Sequence, residues 1–246
     1  MRNLVHIIGF LLLANQAYPQ TDTLFVYGPG GPSAAIKECA DIFSKETRIP
    51  VVVNSGPETK WIERAKKDAD VVFGGSEYML TQFAADHRGL LDETTRIELY
   101  KRSAAILVRP GNPKKIKMFV DLAKPGVRLL DVNGAGQLGM WEDIAGKFDV
   151  IAGIQHNIKS SFSNTALGIE AWKSDTTYDA WITYKTWHFP LKEITQLIEI
   201  PNQATVFRGT PIALTLKGKD GPDGKRFLDF LRSSAGHRVF QRWGWE

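Results

Sequence analysis

One cysteine in 246 residues, Cys39, leaves no partner for an intramolecular disulfide and excludes a Cys-based zinc or iron–sulfur site built from this chain alone. Histidine is almost as scarce. The five (His6, His87, His156, His188 and His237) are scattered, with no pair at metal-ligand spacing, so no metal is expected. No G-x-S-x-G elbow occurs, and no G-K-[ST] follows a glycine loop. Glu142 and Asp143 are adjacent on a predicted helix, where neighbours diverge rather than act as an acid–base pair. These gaps weigh against an enzyme, and no cofactor is expected. A dominant charge is lacking as well. Lys and Arg total 31 against 27 Asp and Glu, a net +4 spread along the chain, which suits a small anionic ligand better than a nucleic acid. With 43% hydrophobic and 24% charged residues the chain is globular, and it shows no repeat, low-complexity tract or heptad pattern.

Long apolar runs are missing too. Spanning a bilayer takes roughly 20 apolar residues, and the longest run, Leu4 to Ala14, is cut short by Tyr18-Pro19-Gln20-Thr21-Asp22. Arg2 ahead of it and the small Ala17 behind it make residues 1–20 a secretory leader cleaved near Ala17. An exported chain with one thiol needs that thiol buried or partnered. Ile36, Cys39, Ala40 and Phe43 fall at i, i+3, i+4 and i+7, which places Cys39 on the core face of a helix.

What is present from Thr23 onward is short apolar runs alternating with helical stretches, an α/β pattern with mainly parallel strands. Strands are predicted at Leu24–Tyr27, Val51–Val53 and Asp70–Phe73, with helices at Ser33–Lys45, Pro57–Lys67 and Ser76–Phe83. The apolar strand Ser103–Arg109 runs into Pro110-Gly111-Asn112-Pro113 and marks a crossing into a second lobe. That lobe is predicted to hold a strand at Val127–Val132, a helix with Met140, Trp141, Ile144 and Ala145, and a helix from Phe162 to Lys173. Ala180–Tyr184 would carry the chain back. A strand at Pro211–Leu216 and a helix with Phe227, Leu228 and Leu231 complete the first lobe, giving 21–104 plus 186–246 for lobe 1 and 105–185 for lobe 2.

Four strand-to-helix loops share one chemistry. Gly28-Pro29-Gly30-Gly31-Pro32-Ser33, Asn54-Ser55-Gly56-Pro57, Gly74-Gly75-Ser76 and Asn133 to Gly139 are short, glycine-rich and set before helices. A helix N-terminus has about four unpaired N–H groups and roughly half a positive charge, so it holds an anion without a formal cation. Any one of these loops is equally a tight turn whose Ser33, Ser55 or Ser76 caps a helix. Four together, at the carboxyl ends of strands from two lobes, point to a cleft that closes on a ligand. Gly134-Ala135-Gly136-Gln137-Leu138-Gly139 also matches G-x-G-x-x-G, but no acidic residue lies about twenty positions on to hold a ribose. Trp61, Trp181 and Trp187 are expected to pack in the core or at a hinge.

The mature chain resembles the type II periplasmic solute-binding proteins, and within them the accessory colonization factor C group, relatives of the molybdate- and sulfate-binding components of ABC transporters. The likeness rests on Tyr27-Gly28-Pro29-Gly30-Gly31-Pro32, Gly56-Pro57 with Lys60-Trp61, Phe73 to Glu77, Ala104 to Pro113, Val132 to Gln137 with Trp141-Glu142-Asp143, Asp179-Ala180-Trp181 and Trp243-Gly244-Trp245. The resemblance implies a two-lobed α/β fold with the ligand cleft between lobes. It also implies a monomer in the periplasm that captures a sulfate- or molybdate-like oxyanion and passes it to a membrane permease or a chemoreceptor. Carried over by position, the ligand would meet Gly31, Ser33, Ser55, Gly56, Gly75, Ser76, Asn133, Ala135, Gly136, Gln137, Ile158 and Tyr184. The anion is expected to be held by uncharged donors. The first loop and the Asn-Gly-Ala-Gly-Gln loop depart from the molybdate pattern, which leaves open a small carboxylate or amino acid, an adhesion factor that kept the fold, or a secreted enzyme.

Overall fold

The computed structural model describes residues 22–246; the leader and cleavage point expected from the sequence lie outside them. In chain order the strands and helices begin β1 (Leu24–Gly28), α1 (Ser33–Thr47), β2 (Val51–Ser55), α2 (Ile62–Asp68), β3 (Val71–Phe73), α3 (Glu77–Asp86) and β4 (Ile97–Glu98). The middle of the chain holds β5 (Arg102–Val108), β6 (Leu129–Val132), α4 (Met140–Lys147), α5 (Ile151–Asn157), β7 (Ile158–Phe162), α6 (Thr165–Ser174) and β8 (Ala180–Tyr184). It ends with α7 (His188–Leu191), β9 (Gln196–Glu199), β10 (Phe207–Arg208), β11 (Pro211–Leu214), α8 (Leu216–Lys219), α9 (Pro222–Arg232) and α10 (Ser234–Arg242).

Two mixed sheets result. The first has the order β2-β1-β3-β11-β4, with β1 parallel to both neighbours and β11 antiparallel to β3 and β4. Pairing of β1 with β2 runs without a slip from Leu24↔Val51 to Gly28↔Ser55, so the loops after them leave the sheet side by side. The α1 stripe behaves as its spacing predicts: Ile36, Cys39, Ala40 and Phe43 are buried in one core with Val26, Phe73, Phe227 and Phe240. Burial pushes the Cys39 thiol up to about 12, which keeps it protonated and inert. The second sheet has the order β10-β5-β8-β6-β7, with β9 also on β5. Every residue of β5 is buried, the reason its sequence from Ala104 to Val108 is apolar without alternation.

Three sequence expectations change. The chain does not return to the first lobe near Thr183–Trp187. Strands β9 and β10 pair antiparallel with β5, so 196–208 belong with the second sheet rather than with 186–246 of lobe 1, and the crossings are 99–101 and 209–210. The helix expected at Pro57–Lys67 breaks at Trp61 (φ −133°), whose indole N–H donates to Gly56 O at 3.1 Å. A 3-10 turn, Glu58–Lys60, precedes α2, and Pro57 is its cap rather than a first helical residue. The helix expected from Phe162 begins at Thr165, because Ile158–Phe162 pairs parallel with β6 as β7.

Candidate functional site

Strands β1, β2 and β3 of the first sheet end on the loops 28–32, 56–57 and 74–76, and strands β6 and β7 of the second end on 133–139 and 163–164. These five loops face one another around a cavity of 470 Å³. Contact between the lobes is close: a Cβ added to Gly136 would stand 3.1 Å from Gly75 O. Three helices start at the cavity wall. α1 follows Gly30-Gly31, α3 follows Gly74-Gly75, and α6 contributes Thr165 and Ala166 to the lining. Each start leaves N–H groups without an intrahelical acceptor and a partial positive charge aimed inward. Ser76 Oγ takes up one, from Met79 N at 3.3 Å, and Asn164 Oδ1 another, from Leu167 N at 3.1 Å.

At the centre lies a residue the sequence reading passed over, Arg102, the first residue of β5. It is 3% exposed and lines the cavity. Its Nη2 donates to Gly75 O at 2.5 Å and its Nη1 to Thr186 Oγ1 at 3.4 Å, while Nε is buried without a partner. The guanidinium lies 3.9 Å from the centroid of the Tyr184 ring and 5.6 Å from that of Trp245. No carboxylate pairs with it among the described residues. Burial lowers its pKa to about 10, and the electrostatics of Tyr184 and Glu77 oppose the drop only in part. It therefore remains a cation at neutral pH. Arg208 is its cross-strand neighbour on β10, with its own guanidinium 3.9 Å from the Asp143 carboxylate. Burial also raises the Tyr184 hydroxyl, with Arg102 and Arg208 opposing, and that hydroxyl donates to Gly136 O. Gly31 is a glycine for a local reason: a Cβ there would sit 2.7 Å from Arg102 Nη1.

The residues expected from sequence divide into two sets. Gly31, Gly56, Gly75, Gly136, Gln137 and Tyr184 line the cavity. Ser33 and Ser55 do not, but their hydroxyls meet at 2.6 Å, which ties the first loop to the second. Neither is a cap, since Pro32 takes the cap position of α1 and Ser55 ends β2; Ser76 does cap α3. Asn133 is exposed, its backbone N–H on Phe162 O, and it is not part of the lining, while Ala135 opens the short turn Ala135–Gln137 whose Gly136 and Gln137 are. Ile158 is misplaced: it starts β7 opposite Leu129, at the strand end away from the loops, and packs on the second core. Asn164, Thr165 and Ala166 take the place expected for it. A buried cation, Arg102, stands among the uncharged donors expected on this wall. Its signal was an arginine opening a seven-residue strand that is apolar from Ala104 to Val108, beside a crossing. Trp181 packs on Trp172 in the core, whereas Trp61 and Trp187 line the cavity. Among the described residues no three His, Cys, Asp or Glu side chains gather as a metal site.

Comparison with known proteins places this geometry. Residues 24–246 match the family of bacterial extracellular solute-binding proteins. PEB3 from Campylobacter jejuni is 32% identical, superposes with a TM-score of 0.83, and matches over 91% of this chain and 99% of its own. PEB3 with bound L-phospholactate superposes at 0.85, with the same identity and the same coverage. The periplasmic molybdate-binding protein of Azotobacter vinelandii shares the fold at 12% identity, with a TM-score of 0.70 over 91% of this chain and 98% of that one. Among proteins of curated function none matches. The chain belongs to the bacterial extracellular solute-binding proteins, a family of binders rather than catalysts, and it has the two-lobed type II periplasmic binding fold.

Proposed function

We propose that the chain binds a small organic acid bearing a phosphate or carboxylate group in the cavity between its sheets, and hands it to a membrane permease. Arg102 carries this reading. A buried guanidinium with no carboxylate partner is costly unless an anion joins it, and three helix starts aim further N–H donors at the same space. In this arrangement the oxyanion group meets Arg102 and the backbone of Gly31, Gly75, Ser76, Ala135 and Gly136. The Ser33–Ser55 hydroxyl pair, outside the lining, holds the first loop against the second and so fixes these donors. Gln137 now gives its Nε2 to Thr165 Oγ1 at 2.9 Å and leaves Oε1 unpartnered; rotating the amide by half a turn would present its NH₂ to the ligand.

Size argues for an organic acid over a bare tetrahedral oxyanion. The 470 Å³ cavity falls in the range that holds whole organic ligands, roughly 300–1,000 Å³, whereas sulfate or molybdate has only five heavy atoms. L-phospholactate in the 32% identical PEB3 is an acid of the class proposed. Family membership supports export to the periplasm and a membrane permease as partner; a monomer, with a chemoreceptor as the other partner, belongs to the proposal. The test is thermal unfolding with L-phospholactate, citrate, aspartate, phosphate, sulfate and molybdate. A ligand at 100 times its Kd stabilises by about 2.7 kcal/mol. The expected order puts organic acids above sulfate and molybdate; no shift with any of them overturns the proposal.

A further inference from the structure

A second part of the lining, beside Trp61, has a different chemistry. Val72 and Leu80 are each 1% exposed, Phe83 5% and Trp61 7%, and they form one apolar wall; Met79, whose Sδ stands beside Gly75, and Ile169 of the second lobe also line the cavity. The Trp61 and Phe83 rings stand 5.7 Å apart, centroid to centroid. The one polar group of these six side chains, the Trp61 indole N–H, is already bonded to Gly56 O. Among the described residues, the buried polar atoms of the cavity that lack partners are Arg102 Nε and Gln137 Oε1, both at the anion end. At the rim beside Trp61 stands Glu58, its carboxylate 2.7 Å from His87 Nε2.

A polyhydroxylated ligand body would place its hydroxyls against a wall with nothing to bond them, and would lose the water bonds it gave up. A second anionic group beside Trp61 would meet the Glu58 carboxylate. We propose that this wall forms an apolar chamber for the body of the ligand, so that the preferred ligand is an alkyl or aryl acid with its anionic groups gathered at one end. Sugar phosphates and acids with anionic groups at both ends are disfavoured. This inference rests on the anion reading above, and the experiment separates the two.

Methyl, propyl, pentyl and phenyl phosphate are titrated calorimetrically into the purified protein, with glycerol 1-phosphate as the hydroxylated counterpart of propyl phosphate. The expected gain is about fourfold in affinity per buried methylene. It should come with a heat-capacity change that grows more negative along the series, and glycerol 1-phosphate should bind no tighter than methyl phosphate. Ile169→Thr should reduce the gain per methylene. A flat series that still depends on Arg102, or glycerol 1-phosphate binding tighter than propyl phosphate, overturns the chamber and leaves the anion reading standing. Pentyl phosphate binding Arg102→Met as tightly as the parent overturns the anion reading instead, as does failure of every phosphate to bind.

Discussion

Replacing Arg102 by methionine separates a ligand-binding cation from a structural strut. Burial, which lowers the guanidinium to about 10, means that the folded protein carries the charge at a cost of about 3 kcal/mol. Opposing this are its bond to Gly75 O, worth about 1.5–3 kcal/mol, and its stacking on Tyr184, worth about 1–2, while the contact with Thr186 Oγ1 at 3.4 Å is too long to add much. The terms nearly cancel, so without ligand Arg102→Met should unfold within about 2 kcal/mol of the parent in urea. Binding has no such cancellation. Removing one partner of a buried charge pair costs about 3–5 kcal/mol, which is at least 100-fold in the Kd of L-phospholactate by calorimetry. The pH dependence has a definite sign. Because the folded-state value is depressed, the penalty on folding is full below about pH 10 and fades as pH rises above it toward the ordinary guanidinium range, while anion binding needs the protonated form and is lost as pH rises through about 10. A variant that binds within threefold of the parent, or that unfolds much more easily without ligand, refutes the reasoning.

Three further outcomes are expected. Gly136→Ala puts a methyl 3.1 Å from Gly75 O, between the lobes; affinity should fall about tenfold (~1.4 kcal/mol) and small-angle scattering of the ligand-loaded protein should show a larger radius, with unchanged affinity and radius counting against closure through this contact. Ser55→Ala removes one member of the 2.6 Å hydroxyl pair; a loss of about 1 kcal/mol in both stability and binding is expected, measured by urea unfolding and calorimetry, and no change in binding removes the pair from the site. Cys39 is 0% exposed and its thiol is held near 12, so iodoacetamide at pH 8 should label it only as fast as the whole chain unfolds. Rapid native labelling in mass spectra would contradict its burial.

Legibility of the sequence followed local chemistry. The α1 stripe through Cys39, the strand Ala180–Tyr184 and the Ser76 cap could all be read, because each is written in neighbouring residues. Strands β9 and β10 could not be. They are short, partly exposed edge strands whose pairing with β5 lies about a hundred positions away, and a crossing was therefore placed at the end of β8. The glycine loops announced the cavity, and Gly31, Gly75 and Gly136 stand on its wall. Ile158 was carried over by position in the resemblance alone; it opens β7 at the strand end away from the loops, whereas Asn164–Ala166, just past the other end, line the cavity. Arg102 was missed for a different reason: its meaning comes from Gly75, Tyr184 and Trp245 closing around it, and burial is a property of the assembled lobes.

The most direct test of the central claim is a crystal structure of the protein with L-phospholactate. The account predicts the phosphate or carboxylate oxygens within hydrogen-bond distance of the Arg102 guanidinium and of N–H groups at the starts of α1, α3 and α6, with the methyl group turned toward Trp61 and Phe83. A ligand bound elsewhere, or one seated in the cavity with its anionic groups turned away from Arg102, would contradict it.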